Sequence, residues 1–201
     1  MAAPGALAAP SSHETTLGVS NNKMGMWVFI GSECLFFGAM ISTYLLYVNR
    51  TADGPTAREI FDIPFTSAST FILLMSSLGM VLALAALVDN DLRRFKIWTL
   101  ATALLGATFL SGQIYEFTVF VNEGFKFETS PFSASFYMLT GFHGIHVTVG
   151  VIMLVTLWAQ ALTGRITPEH APAVENVGLY WHFVDIVWIL IFTLIYLIPV
   201  G

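Results

Sequence analysis

Three acidic side chains lie within long apolar stretches of this 201-residue sequence: Glu33, Glu116 and Asp185. If these stretches are helices in a bilayer, a charged side chain at mid-depth costs about 2.5–3.5 kcal/mol on insertion scales. An acid in such a position therefore carries a proton, pairs with another polar group or faces another subunit. These three residues are the first candidates for chemistry.

Glu33 is the clearest of the three. It lies nine residues after Met24, or about 14 Å along a helix, which is close to the middle of a bilayer. Its neighbours at helical spacing are all apolar: Phe29, Ile30, Phe36 and Phe37. No partner therefore lies on its own helix. Two interpretations stay open, a carboxyl that exchanges protons or mediates a contact, and a protonated carboxyl that is hydrogen-bonded to another helix.

Histidines occur in two of the other apolar stretches. His143 and His146 are three residues apart in HGIH, which places them on one helical face. If their helix enters from outside, His146 lies about 21 Å deep and approaches the depth of Glu33. His182 and Asp185 are three residues apart in WHFVDIVW. They could share a proton or fix a tautomer, or form a bridge that holds helices together.

A metal or haem site is the alternative use of these histidines. His182 and Asp185 would then complete the ligand set. Polar residues between membrane helices more commonly make hydrogen bonds, so we expect no metal ligand in this chain. Gln113 and Glu116 form a further pair in SGQIYEF, near the outer end of a stretch where a charge costs little. We expect Glu116 to anchor its helix to the following loop.

The composition supplies the scaffold that these residues need. Hydrophobic residues make up 56% of the chain and charged residues 10%, against about 25% charged residues in soluble domains. Five apolar runs are each long enough to cross a bilayer as a helix: 24–48, 66–88, 97–121, 132–162 and 176–200. The sequence therefore predicts an all-α bundle of five transmembrane helices, antiparallel in turn because the links are short. Residues 1–22 are expected to form a disordered or irregular tail.

Other functional classes fit poorly. No basic cluster is available for binding nucleic acid. The single cysteine, Cys34, excludes a disulfide framework, and we expect it to be a small buried hydrophobic residue. The sequence has no convincing nucleophile–base pair, so no catalytic residue is expected in this chain alone. Five basic residues against three favour an N-terminus inside and a C-terminus outside the cell.

Four stretches resemble subunit III of the haem-copper oxidases, a family that serves cytochrome c oxidases and quinol oxidases. In chain order they are MWVFIGSECLFFGAM, SGQIYEF, SFYMLTGFHGIHVTVGVIML and YWHFVDIVWILIFTLIYLI. They cover at least four of the five runs in the family's order. The longer form of the family has seven helices. This chain is similar to the shorter bacterial form, which lacks the first two helices and thus part of a lipid-filled cleft.

The resemblance implies a non-redox subunit of a proton-pumping respiratory oxidase in the bacterial plasma membrane. Haems and copper would lie in subunits I and II. This chain would pack on subunit I, support proton uptake, protect the active site and hold phospholipid. The family's carbodiimide-reactive glutamate matches Glu33, and its interior histidine motifs match His143, His146, and His182 with Asp185. Cytochrome c is the expected electron donor to the complex, with quinol as the alternative.

Three further hypotheses stay open. An accessory subunit of a nitric oxide reductase would share the fold. A free-standing proton-coupled transporter would use Glu33 and Asp185, although the sequence has no internal repeat. A purely structural subunit that organises lipid or assembly would need only the apolar helix surfaces.

Overall fold

The computed structural model describes residues 20–52 and 61–198. Within these ranges the chain forms five long helices and no strand, and each helix is long and apolar enough to cross a membrane. The helices are α1 (Asn21–Tyr47), α2 (Ile63–Val88), α3 (Leu92–Asn122), α4 (Pro131–Leu162) and α5 (Ala171–Phe192). A single 3-10 turn, Pro168–His170, precedes α5, and a π-helical turn, Thr193–Leu197, continues it. The prediction of an all-helical bundle with five spans is confirmed.

The helices extend beyond the predicted apolar runs, chiefly at their N-terminal ends. α3 begins five residues before its run because the Asp91 side chain accepts a hydrogen bond from the Arg94 amide at 3.0 Å. Ser130 caps α4 in a reciprocal arrangement with Ser133. Capping groups determine where a helix begins, whereas apolarity determines which part of it suits a bilayer. Of the predicted tail, residues 1–19 lie outside the described residues, and Asn21 and Asn22 already belong to α1.

Three of the helices end in the same way. The amides of Asp91, Phe125 and Arg165 reach back five residues to the carbonyls of Ala86, Phe120 and Gln160. The residue before each of these amides has a positive φ: Asn90 (60°), Gly124 (87°) and Gly164 (71°). This is the Schellman motif, in which glycine or asparagine takes the left-handed conformation. It turns the chain sharply and permits the short links between antiparallel neighbours.

The bundle packs around α5. α2 and α3 form the most extensive helix pair, α4 lies against α3, and α5 contacts α2, α4 and α1. At the centre, the Trp181 indole donates a hydrogen bond to Ser76 of α2 at 3.0 Å. Gly106 of α3 and Gly150 of α4 lie against the same indole ring. Trp181, one of the two largest core side chains, therefore touches three helices besides its own.

α1 is the least enclosed helix. Only Phe37 and Tyr44 of α1 are buried, and its contacts are with α4 and α5. Cys34 is exposed, so the expectation that it is buried was wrong. An apolar run does not reveal which of its faces meets protein, because lipid is as apolar as the protein interior.

A salt bridge joins the beginnings of α1 and α5. Lys23 Nζ lies 2.6 Å from Glu175 Oε1, and both side chains are more than one-third exposed. Exposed ion pairs contribute little. We expect Lys23→Met to change the free energy of unfolding by less than about 1 kcal/mol. Thermal unfolding of Lys23→Met, Glu175→Gln and the double variant measures this, and a large non-additive loss would show that the bridge holds α1 in place.

Candidate functional site

Glu33 has its partner on another helix. Its Oε2 atom lies 3.3 Å from Nε2 of His146 on α4, and both side chains are mostly buried. Nδ1 of His146 lies 2.7 Å from the carbonyl oxygen of Phe142. A carbonyl can only accept, so Nδ1 carries a hydrogen. The contact between Nε2 and Oε2 then requires one more proton, held either by the imidazole or by the carboxyl.

Aromatic rings surround this pair. Phe37 meets the His146 ring edge-on, with centroids 5.0 Å apart. Phe36 packs on Phe142 at 5.3 Å. Tyr180 of α5 donates a hydrogen bond to the backbone oxygen of His146 at 3.0 Å. The pair thus lies in apolar surroundings, which strengthen the electrostatic interaction between its members. The Tyr180 hydrogen bond also holds the His146 segment of α4 to α5.

His143 behaves differently from His146. It is fully buried, and neither of its ring nitrogens has a hydrogen-bond partner among the described residues. Its ring stacks on Trp188 with centroids 4.8 Å apart and an interplanar angle of 25°, and it meets Phe109 edge-on. Both histidines of HGIH therefore contact aromatic rings, but of the two only His146 has polar partners among the described residues.

His182 and Asp185 are linked through a third residue. Nδ1 of His182 lies 2.9 Å from the hydroxyl oxygen of Ser77 on α2. The same hydroxyl also interacts with the Asp185 carboxyl. Asp185 is buried, and its Oδ1 atom has no hydrogen-bond partner among residues 20–52 and 61–198. Ser77 therefore connects the two residues from α2, where the sequence suggested a direct pair within one helix.

Gln113 and Glu116 connect α3 to different neighbours. Gln113 Nε2 donates to the backbone oxygen of Thr140 on α4 at 2.8 Å. Glu116 Oε1 lies 2.5 Å from Thr66 Oγ1 on α2. The expectation that Glu116 anchors α3 to the following loop was wrong, because its side chain is buried on the face of α3 that meets α2.

Sequence reasoning missed the hydroxyl groups of α2. This helix carries no charge in its apolar run, yet its hydroxyls meet three of the polar groups just described, those of His182, Asp185 and Glu116. Thr70 accepts a hydrogen bond from the Trp188 indole at 2.9 Å. We call the following residues the α2 hydroxyl row: Thr66, Thr70, Ser76 and Ser77. The signal in the sequence that could have revealed these contacts is the presence of several serines and threonines along α2, since such residues commonly join membrane helices.

The comparisons with known proteins identify the scaffold. The family model described as cytochrome c oxidase subunit III matches residues 8–200. The chain belongs to the cytochrome c oxidase subunit III family. Together with the five spans, this membership makes it a multi-pass membrane protein. The resemblance to haem-copper oxidase subunit III is confirmed.

Relatives within the family bear two kinds of name. Cytochrome c oxidase subunit 3 of Bacillus sp. (strain PS3) is 40% identical over 190 residues, which cover 94% of this chain and 91% of the relative. Quinol oxidase subunit 3 of Bacillus subtilis (strain 168) is 37% identical over 193 residues, or 96% and 94%. Cytochrome bo(3) ubiquinol oxidase subunit 3 of Pseudomonas aeruginosa is 37% identical over 177 residues, or 88% and 85%. The family therefore includes relatives named for cytochrome c oxidases and relatives named for quinol oxidases.

The described part of this subunit III-family chain contains no group of three or more histidine, cysteine or acidic side chains that could hold a metal ion. Two apolar grooves flank α1. The first lies between α1 and α4 and is lined by Phe36, Met40 and Met138, among others. The second lies between α1 and α5, and both Cys34 and His182 line it. These grooves suit hydrocarbon chains better than polar substrates.

Proposed function

We propose that this chain is the non-redox subunit III of a proton-pumping respiratory terminal oxidase in a bacterial plasma membrane. The family match over residues 8–200 carries the proposal. In this proposal, haems and copper reside in subunits I and II, where oxygen is reduced to water. This chain packs on subunit I and contributes no catalytic residue.

The distribution of basic residues supports an orientation with the N-terminus inside. In an antiparallel bundle the start of α1, the α2–α3 link and the α4–α5 link lie at one end. That end carries five basic residues: Lys23, Arg93, Arg94, Lys96 and Arg165. The opposite end has three basic residues, including Arg50 and Lys126. An excess of Lys and Arg marks the cytoplasmic side.

The donor to the complex is proposed to be cytochrome c, with quinol as the alternative. Both kinds of oxidase occur among the relatives. A tagged full-length chain, purified in mild detergent with its complex, tests the proposal by oxygen uptake. Oxygen uptake with reduced cytochrome c supports the proposal. Oxygen uptake with quinol alone would show that the chain belongs to a quinol oxidase, the alternative. No uptake with either donor, from membranes that themselves respire, would contradict an oxidase role.

Support of proton uptake rests on the Glu33–His146 pair. The pair holds one proton between two helices in apolar surroundings. Either partner of such a contact can carry the proton, and in this proposal the pair passes it on during proton uptake. A purely structural subunit would need the contact but not the exchange.

We expect Glu33→Gln in the assembled oxidase to lower turnover and to raise the rate of inactivation during turnover several-fold. The glutamine can still hydrogen-bond to Nε2 of His146, but it cannot carry the exchangeable proton. Turnover, the number of protons pumped per electron and the inactivation rate are measured together. The matched control is Glu123→Gln, since Glu123 is an exposed acid at the end of α3. If all three quantities stay unchanged, the proton-handling role fails and only packing remains.

Phospholipid binding is proposed for the grooves beside α1. Their walls are almost entirely apolar, as acyl chains require. If the chain serves lipid organisation or assembly alone, substitutions at Glu33 will lower the amount of assembled complex while each assembled complex turns over at the parent rate.

A further inference from the structure

Glu116 belongs to a buried polar group that is separate from the Glu33–His146 pair. We call it the Glu116 cluster: Glu116 of α3, Thr66 of α2, Tyr196 of the π-helical turn and Tyr44 of α1. Each member is more than nine-tenths buried. The Tyr196 hydroxyl lies near Thr66 and faces both Glu116 and Tyr44. The cluster therefore joins groups from four parts of the bundle.

The hydrogen count at Thr66 decides the state of Glu116. Thr66 Oγ1 lies 2.9 Å from the backbone oxygen of Asp62 and 2.5 Å from Glu116 Oε1. A threonine hydroxyl has one hydrogen to donate, and a carbonyl oxygen can only accept. The Thr66 hydrogen therefore points to Asp62. The contact with Glu116 then needs its hydrogen from the carboxyl group, because two oxygens this close without a hydrogen would repel each other.

We infer that Glu116 is a proton-binding site, a neutral carboxylic acid that donates its hydrogen bond to Thr66. The inference goes beyond the proposed function, because it assigns a proton-holding group on α3 in addition to the Glu33–His146 pair. It does not depend on the electron donor or on the partner subunits.

The charges around Glu116 agree with this assignment. Among the described residues no cationic side chain lies within salt-bridge distance of Glu116. The titratable groups that face it are Asp62, which is exposed at the start of α2, Tyr196 and, beyond Tyr196, Tyr44. An ionised Glu116 would be a buried charge without a counter-ion, which is strongly unfavourable. As a neutral acid it is satisfied by Thr66.

Two features point to a site rather than to a packing contact. The Tyr44 hydroxyl is fully buried and has no hydrogen-bond partner among the described residues, so the cluster has polar capacity that its own members do not use. Tyr196 lies in a π-helical turn, and single π turns frequently occur at functional positions. The π turn therefore carries the tyrosine that lies near Thr66 and Glu116.

Infrared spectroscopy of the full-length chain, purified with whatever complex it forms, tests the inference. We expect the parent-minus-Glu116→Gln difference spectrum to contain a carboxylic C=O band that shifts when H2O is replaced by D2O. Glu123→Gln, at an exposed acid, is the control and should remove carboxylate bands only. Loss of carboxylate bands in Glu116→Gln would overturn the inference, because Glu116 would then be ionised.

Thr66→Val provides a second test if Glu116→Gln does not fold. Valine cannot accept the carboxyl hydrogen, so the C=O band should move to higher frequency while remaining present. An unchanged band position would show that the carboxyl does not donate to Thr66. Thermal unfolding adds an independent measure. Glu116→Gln can still donate to Thr66 Oγ1 and should keep the parent's midpoint, whereas Glu116→Leu should lower it, and a fall in Glu116→Gln equal to that in Glu116→Leu would count against a donating acid.

Discussion

Replacing Trp181 with alanine is expected to lower the free energy of unfolding of the bundle by about 3–5 kcal/mol, the usual cost of deleting a buried tryptophan. The indole is 1% exposed. It contacts Gly106 of α3 and Gly150 of α4, and it donates to Ser76 of α2. Membrane helices associate largely by van der Waals packing, so a cavity here loosens three helix contacts together.

The measurement is thermal unfolding of the purified chain with its complex, followed by the amount of chain that remains assembled. Trp27→Ala is the matched control, since Trp27 is 53% exposed on α1. We expect the control to leave both quantities close to the parent. Equal losses in the two variants would show that Trp181 is not the centre of the packing.

Gly150→Ala is the second substitution with a large expected effect. A Cβ atom at Gly150 would lie 2.6 Å and 2.7 Å from ring carbons of Trp181, and a rigid ring cannot yield as a flexible side chain does. Overpacking of this kind costs about 1–3 kcal/mol. Gly141→Ala on the same helix is the control, because nothing lies within 4 Å of its Cβ position.

A double-mutant cycle connects these two predictions. If the added methyl group clashes only with the indole, Gly150→Ala should cost little in the Trp181→Ala background, and the two losses should be strongly non-additive. Simple additivity would contradict the contact. The cycle therefore tests the geometry between α4 and α5 and not only the stability of the fold.

Much of the fold follows from the sequence, because five apolar runs separated by short polar links leave few alternatives. The helix ends were less predictable. α3 begins at Leu92, well before its apolar run, because Asp91 caps a polar first turn that suits water and not lipid. The Cys34 prediction failed for a related reason. Hydrophobicity separates membrane from water, but it does not separate a lipid-facing side chain from a buried one.

The candidate site was predictable where depth alone decides the contact. Helical rise placed Glu33 and His146 at similar depths, and the structure places them 3.3 Å apart. Contacts that depend on how each helix is rotated about its own axis could not be predicted from the sequence. Ser77 between His182 and Asp185 and Thr66 beside Glu116 come from α2, which carries no charged residue to draw attention. Their hydroxyls became visible only when the bundle showed which face of α2 is buried.

The most direct test of the central claim is a reduced-minus-oxidised absorption spectrum of material captured through this chain in mild detergent. The proposal that the chain is subunit III of a terminal oxidase predicts haem bands of the terminal-oxidase type, contributed by partner subunits. The position of those bands also helps to distinguish oxidase subclasses. A preparation that demonstrably keeps membrane complexes intact but shows no haem would contradict the claim and would favour a free-standing proton-coupled transporter.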